Sequence, residues 1–298
     1  MTNVHAVIVT YHPTESVLLE LIARLAGQVE HIWLIDNATP IGADLLQRLP
    51  PNIDVIVNED NVGLASCYNS AIRRAQKVGA HYVILFDQDS LPNDQMVIQL
   101  RDALQQLNSQ GLRVAAVGPA YIDVKGAKGF FVRKRCLHLQ RITPNSNHRI
   151  IAVDHLISSG CCIDLDRYDA IGPFTEGLFI DYVDTEWCLR ARAQGYTLFG
   201  IPAAAMRHDL GSACIRVFGR AVMLHAPMRS YYRIRNGVWL LRQPWVGWNW
   251  RIIDMIRLCK LAAAMVILPP ERWQHARAMW SGLKDGMLGR MGRCSFPH

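Results

Sequence analysis

The sequence predicts an α/β fold, a mixed but mainly parallel sheet with flanking helices over residues 1–210, followed by a basic, mainly helical region over residues 211–298. Three observations carry this. Short, continuous apolar runs alternate with amphipathic helical patterns, the rhythm of strands covered by helices on both faces. Polar residues stand directly after several of those runs. Beyond Gly211 the composition shifts sharply towards Trp and Arg. At 298 residues and 50% hydrophobic content, the chain is long enough for a full α/β core and an appendage.

The elements follow in order. Val4–Thr10 reads as the first strand, with a helix starting near Thr14. Residues 31–35 and 54–58 supply the second and third strands, and residues 82–86 the fourth. Between the last two runs a helix opening at Gly63 places Leu64, Tyr68, Ala71, Ile72 and Ala75 on one stripe, with Arg73, Arg74 and Lys77 opposite. A strand near residues 114–118 follows, and then a basic, polar, loop-like stretch over 125–149 suited to a segment covering a site. Order returns over 155–163. A helix over 184–194 stops at Gly195, a normal C-terminal signal.

Charge and cysteine content narrow the class. Residues 211–298 hold 14 Lys/Arg against 3 Asp/Glu, within a net charge of +7 for the whole chain. Such a tail suits nucleic acid, anionic lipid or a phosphorylated substrate. The eight cysteines form no C-x-x-C pair and read as reduced, buried thiols, so neither a zinc site nor a disulfide framework is expected. The longest apolar stretch, over residues 261–270, falls short of the roughly 20 residues of a spanning helix. With no signal peptide ahead of the first strand, a cytoplasmic protein is expected, with room for peripheral contact on the inner face of the cell membrane.

In an open parallel sheet ligands gather at the carboxyl ends of the strands. Here those ends carry Thr10 and Tyr11, Asp36 and Asn37, Asn58, and Asp87-Gln88-Asp89. Any one could be a turn or helix cap; four together point to a site. Asp87 and Asp89, two apart after an apolar strand, suit one hard cation such as Mg²⁺ or Mn²⁺ bridging to a diphosphate. Asn61 and Gly63 stand where a helix begins and a ligand could approach closely, although a simple helix start explains them as well. In the acidic run Asp181, Asp184 and Glu186, the last fits an ion pair with Arg190, leaving Asp181 or Asp184 as a general base. His208 is either structural or a third metal ligand.

Taken together, VIVTYHP, LIDNAT, NEDNVGLASCYNSAI, FDQDS, SSGCCID, FIDYVDTEWCLRA, MRHDLG and YYRIRN resemble family 2 glycosyltransferases of the GT-A fold, a Rossmann-like architecture. Within that family they resemble the bacterial dTDP-rhamnosyltransferases of O-antigen, lipopolysaccharide core and capsule assembly, over roughly residues 4–240. The resemblance implies an inverting transfer of L-rhamnose from a nucleotide-sugar donor, dTDP-L-rhamnose, onto a lipid-linked or lipopolysaccharide glycan acceptor. It gives Thr10, Tyr11 and Asp36 to the nucleotide, with Asn61 and Gly63 nearby. Asp87 and Asp89 then hold metal and diphosphate, His208 is a further metal ligand, and Asp184 is the base. Some relatives carry two adjacent acids where this chain has Val183-Asp184, so Asp181 could share the work. Arg235, in YYRIRN, is implied to contact substrate.

Other readings are weaker. Galactofuranosyl or hexosyl transfer from a UDP donor shares the same acidic helix start. A nucleic-acid-binding protein would use Arg beside stacking aromatics, but no recognition motif is present and the first 210 residues are mildly acidic, so no nucleic-acid partner is expected. A dinucleotide oxidoreductase needs G-x-G-x-x-G where this chain has Thr10-Tyr11-His12-Pro13. A glycoside hydrolase uses two carboxylates but has no need of a diphosphate-binding metal. In the tail, Arg251, Arg257 and Lys260 accompany Ile252, Met255 and Ile256, and six of eight tryptophans lie between Trp239 and Trp280. That pattern suits a lipid headgroup layer or, equally, a core stripe of Ile252, Met255, Ile256 and Cys259.

Overall fold

The computed structural model describes residues 3–39, 42–123, 129–144, 149–208, 214–217, 220–223 and 226–294. Its centre is β1 (Val4–Thr10), buried at every position. Side chains of a strand alternate between faces, and so Val4, Ala6 and Ile8 enter one apolar core while Val7 and Val9 enter the other. Parallel to β1 run β2 (His31–Asn37) on one side and β4 (Tyr82–Asp87) on the other, with β3 (Ile53–Asn58) outside β2.

Helices cover both faces. On one, α1 (Glu15–Ala26) buries Leu18, Leu21, Ile22 and Leu25, spaced for a single helical stripe. Each such side chain contributes roughly 1.5–3 kcal/mol on full burial. The short α2 (Ala43–Gln47) follows β2, and α3 (Leu64–Lys77) packs on the opposite face with Tyr68, Ala71, Ile72 and Ala75 inward.

After β4 the chain makes a tight turn at Gln88 and Asp89 into the three-residue β5 (Ser90–Pro92). Then come α4 (Met96–Ser109), β6 (Val114–Asp123), β7 (Phe131–Arg135), β8 (His138–Ile142), β9 (Ile151–Val153) and β10 (Cys162–Asp164). They are followed by α5 (Leu165–Ile171), a 3-10 turn over Glu176–Leu178, α6 (Val183–Ala193) and β11 (Thr197–His208). The sheet order is β3-β2-β1-β4-β10-β6-β11-β5, with β9 also on β11. β10 runs antiparallel to its neighbours, and β5 and β9 run antiparallel to β11, so the sheet is mixed about a parallel centre.

Residues 125–149, expected to be loop-like, contain the β7–β8 hairpin among their described positions, and only residues 162 onwards of the ordered stretch over 155–163 form a strand. Cys136 and Cys259 are exposed rather than buried, while Cys67, Cys161, Cys162 and Cys188 lie in the core.

The basic region forms the hairpin of β12 (Cys214–Val217) and β13 (Arg220–Met223), then α7 (Pro227–Leu241), α8 (Trp248–Ile267) and α9 (Arg272–Leu288). Residues 209–213, around the expected boundary at Gly211, lie outside the described residues. α7 and α9 approach closely because Gly282 and Gly286 face the α7 backbone, where an added Cβ would stand 2.5 Å from the Tyr231 carbonyl and 2.6 Å from that of Arg235. Ile252, Met255, Ile256 and Cys259, weighed as a core stripe, are all exposed; Trp250, Ile253 and Leu258 face inward instead. Among the described residues no helix is long and apolar enough to cross a membrane.

Candidate active site

The carboxyl ends of β1, β2 and β4 meet where the connections diverge to opposite sides of β1. Most of the polar side chains there brace neighbouring backbone. Thr10 is fully buried and donates to the Ile35 carbonyl at 3.3 Å, and Asp36 accepts the backbone N–H of Thr39 at 2.9 Å. Gln88 grips Tyr11 at two points, accepting its N–H at 2.7 Å and donating to its carbonyl at 3.2 Å, while the Tyr11 side chain stays exposed. Asn61 accepts from Asn37 at 2.9 Å and from the Gly63 N–H at 3.0 Å.

Gly63 is required for a reason other than ligand approach. Its φ is 86°, and an added Cβ would lie 2.6 Å from the Phe179 ring and 2.9 Å from its backbone. The crowding group is therefore the chain leading to α6. Asn69, two turns later, is equally internal, bonding Phe174, Glu176 and Tyr168.

Asp87 closes β4 and Asp89 occupies the turn beyond it. Asp87 accepts from Ser159 at 2.5 Å and faces the Tyr68 hydroxyl at 3.5 Å. Burial, then the charge of Asp87, push the Tyr68 hydroxyl well above its ordinary range, so it stays a donor. At the sheet edge the backbone of His208 pairs with Ser90, immediately after Asp89; the His208 side chain lies outside the described residues. Among the described residues no group of three or more His, Cys, Asp or Glu forms a cation cage. The donor set nevertheless fits Mg²⁺ or Mn²⁺, since two hard carboxylates leave positions for diphosphate oxygens and water, the usual way Mg²⁺ is held.

The second acidic cluster follows a contorted turn in which Phe179, Asp181 and Tyr182 have φ of 65°, 59° and 65°. Left-handed backbone is unfavourable for residues with a Cβ and persists only where surroundings impose it. Asp181 forms a two-point ion pair with Arg229, both bonds 2.7 Å. Asp184, in the first turn of α6, accepts from the Thr185 N–H at 2.6 Å, and His155 lies 3.7 Å away. Burial alone would raise the Asp184 carboxyl, but the nearby His155 imidazole, with the bonds from Thr185, outweighs it and holds the carboxyl below its usual range. Glu186 is buried in its expected pair with Arg190 at 2.7 Å and also accepts from Thr175. It serves structure.

Two cavities share His155, Thr185 and Arg257 as walls beside Asp184. One, of about 240 Å³, is lined by Asp184, Asp181, His155, Arg233 and Arg257 with Leu258 and Leu261. The other, of about 200 Å³, brings His155, Thr185 and Arg257 together with Ser159, the partner of Asp87, and with aromatic walls at Tyr121 and Trp250. Asp87 and Asp184 are thereby brought to one region. Arg235, expected to touch substrate, stands apart: it is fully buried and donates to the carbonyls of Gly177, Leu178 and Gly292 and to Asn236.

Sequence reasoning passed over His155, Ser159, Arg229, Arg233 and Asp254. Ser159 stood inside a recognised run, SSGCCID, without a role. Arg233 likewise stood inside YYRIRN, where only Arg235 was given a role; His155, Arg229 and Asp254 had no local signal, because they meet Asp184, Asp181 and Tyr182 from far away in sequence.

Residues 6–154 match the glycosyl transferase family 2 model. The chain is 32% identical over 247 residues to a dTDP-rhamnosyl transferase, RfbF, of Shigella flexneri, covering 81% of each chain. In fold it is similar to TarS of S. aureus, residues 1–349 in complex with UDP-GlcNAc, with a TM-score of 0.61, 14% identity, and 97% of this chain and 82% of that one covered. A structure of GalNAc-T7 with UDP, GalNAc and Mn²⁺ aligns with a TM-score of 0.57 at 14% identity, covering 91% of this chain and 58% of that one. These neighbours share the mixed sheet with flanking helices of the GT-A fold.

Proposed function

The chain belongs to glycosyl transferase family 2, and on that premise we propose that it moves L-rhamnose from dTDP-L-rhamnose, with inversion, onto a lipid-linked or lipopolysaccharide glycan. It is a glycosyltransferase that uses a nucleotide sugar. The donor reading is carried by the similarity to a dTDP-rhamnosyl transferase across 81% of the chain.

In this reading Tyr11 and Asp36 flank the nucleotide at the strand ends. Asp87, braced by Ser159, and Asp89 would hold Mg²⁺ or Mn²⁺, which supplies positive charge against the donor diphosphate. Asp184 accepts the proton of the acceptor hydroxyl as its oxygen attacks the anomeric carbon opposite the leaving diphosphate, so one bond forms as the other breaks and the configuration inverts. His155 and Thr185 keep that carboxylate ionised and aimed. Asp181, committed to Arg229, is the lesser candidate for the base.

The acceptor reaches Asp184 through the cavity lined by Arg233, Arg257, Leu258 and Leu261. A membrane-borne acceptor is supported by the exposed Trp248, Met255, Ile267, Trp273 and Trp280 on α8 and α9, interspersed with Lys260, Arg272 and Arg277.

A donor panel tests the reading. With Mg²⁺ or Mn²⁺ present, the purified chain should slowly hydrolyse dTDP-L-rhamnose in preference to UDP-galactofuranose and UDP-hexoses. Turnover of UDP donors alone would overturn the rhamnosyl assignment.

A further inference from the structure

The turn that delivers Asp184 has an unusual source of order. Its backbone carbonyls are nearly all held by side chains of α7, more than 50 residues further along the chain. Arg235 donates to the carbonyls of Gly177 and Leu178 at 2.9 and 2.8 Å. Asn236 donates to those of Leu178, Ile180 and Asp181 at 2.9, 2.8 and 2.9 Å. Of the other two carbonyls, that of Phe179 accepts the N–H of Leu64, the first residue of α3, at 2.6 Å, and that of Tyr182 accepts the N–H of Glu186 at 2.8 Å as α6 begins.

The two side chains are themselves fixed. Both are fully buried, and Arg235 donates to Asn236 at 2.8 Å, which settles which end of the amide faces the turn. The Arg235 guanidinium lies 4.8 Å from the ring centre of Tyr232, which also stacks in parallel on Phe179 at 5.1 Å and 11°. From α8, Asp254 accepts the Tyr182 hydroxyl at 3.0 Å, one residue before α6 begins.

A structural account in which the basic region merely packs on the sheet needs apolar contacts only. Beside the apolar contacts of Phe179, Ile180 and Tyr182 stands a buried, polar set aimed at the turn with three left-handed residues, whose conformation the local sequence disfavours. The cost of that backbone is offset by bonds that exist only when α7 is docked. The same turn touches the donor side, because Phe179 is the group that crowds Gly63 and bonds Leu64.

We propose that Arg235 and Asn236, supported by Asp254 through Tyr182, are positioning residues for the carboxylate of Asp184. They act on the reaction through the Gly177–Tyr182 turn and do not touch substrate. Side chains held this way fix a reacting group to a fraction of an ångström, and a 1 Å displacement costs about 100-fold in rate. The proposal rests on Asp184 being the base.

The test compares Asn236→Ala and Tyr182→Phe with Asp184→Asn, each at known folded fraction by thermal unfolding. Asn236→Ala leaves buried carbonyls unsatisfied; if it does not fold, Tyr182→Phe, which removes one hydroxyl, carries the test alone. The expected result is a fall in kcat per folded molecule of about 10- to 100-fold for Asn236→Ala, less for Tyr182→Phe, with dTDP affinity unchanged. A purely structural role would lower the melting temperature and leave kcat per folded molecule and nucleotide affinity as in the wild type. That outcome, or parallel losses of kcat and nucleotide affinity, would overturn the proposal. If Asp184→Asn itself transfers normally, the base assignment fails; if it is inactive while both turn variants are normal, only the positioning role fails.

Discussion

Ser159 donates a 2.5 Å hydrogen bond to the Asp87 carboxylate, tying the chain ahead of β10 to the end of β4. The same hydroxyl accepts from Ser90 at 3.1 Å, so it stands between both residues that flank the Gln88-Asp89 turn. A buried hydroxyl so placed orients a carboxylate before any cation arrives. Supporting groups of this kind are typically worth 10- to 100-fold in metal affinity, and Ser159→Ala should raise the Mg²⁺ or Mn²⁺ concentration for half-maximal activity by about that factor. Asp89→Asn should abolish transfer with the fold intact. A metal titration checks both, and full activity in EDTA would remove the metal from the reading.

Asp184→Asn keeps the volume of the side chain and loses its basicity. Transfer should fall by about 10²–10⁴, while dTDP binding, which depends on the strand ends, stays near wild type. The product linkage, read by NMR, should be inverted relative to the donor. A retained configuration, or wild-type transfer by the variant, would send the search for the base to Asp181.

His5 gives a pH dependence to stability that is separate from activity. It is buried beside Trp33, whose indole N–H it accepts at 3.1 Å, and burial, helped by His31, lowers its pKa from 6.5 to about 4. Below pH 6.5 the unfolded chain takes up a proton that the folded chain refuses. The contribution is therefore full above pH 6.5, falls as the solution is acidified, and levels off near pH 4 after a loss of about 3 kcal/mol. Urea unfolding of wild type and His5→Asn at pH 7 and pH 4.5 checks this. The wild type should lose more stability between the two, and equal losses would show that His5 titrates normally.

The exposed Trp and basic side chains of α8 and α9 should bind anionic vesicles. Each Lys or Arg near such a surface contributes about 1 kcal/mol, and salt screens the attraction. Sedimentation with phosphatidylglycerol-containing vesicles should show binding that weakens steeply between low and physiological salt. Equal binding to neutral vesicles, or none to either, would reject the membrane reading of the tail.

The sequence by itself determined the alternation of strands and helices, because apolar periodicity is a local property that burial on either face of a sheet demands. It also determined where carboxylates gather, since Asp87 and Asp89 stand at the end of a strand and Asp181 and Asp184 at the start of a helix, within a few residues of each other. The pairing of Glu186 with Arg190 was legible for the same reason, being one helical turn apart. Only the tertiary structure decided which acids have partners and what the glycine at 63 is for. Asp181 meets Arg229 across 48 residues, and Phe179 crowds Gly63 across more than a hundred. The duty of Arg235 was decided there too: from its motif it was expected at the substrate, but docking α7 against the turn buries its guanidinium on backbone carbonyls. Hydrogen bonds between groups so far apart are set by how whole elements pack, and no local pattern of residues encodes that.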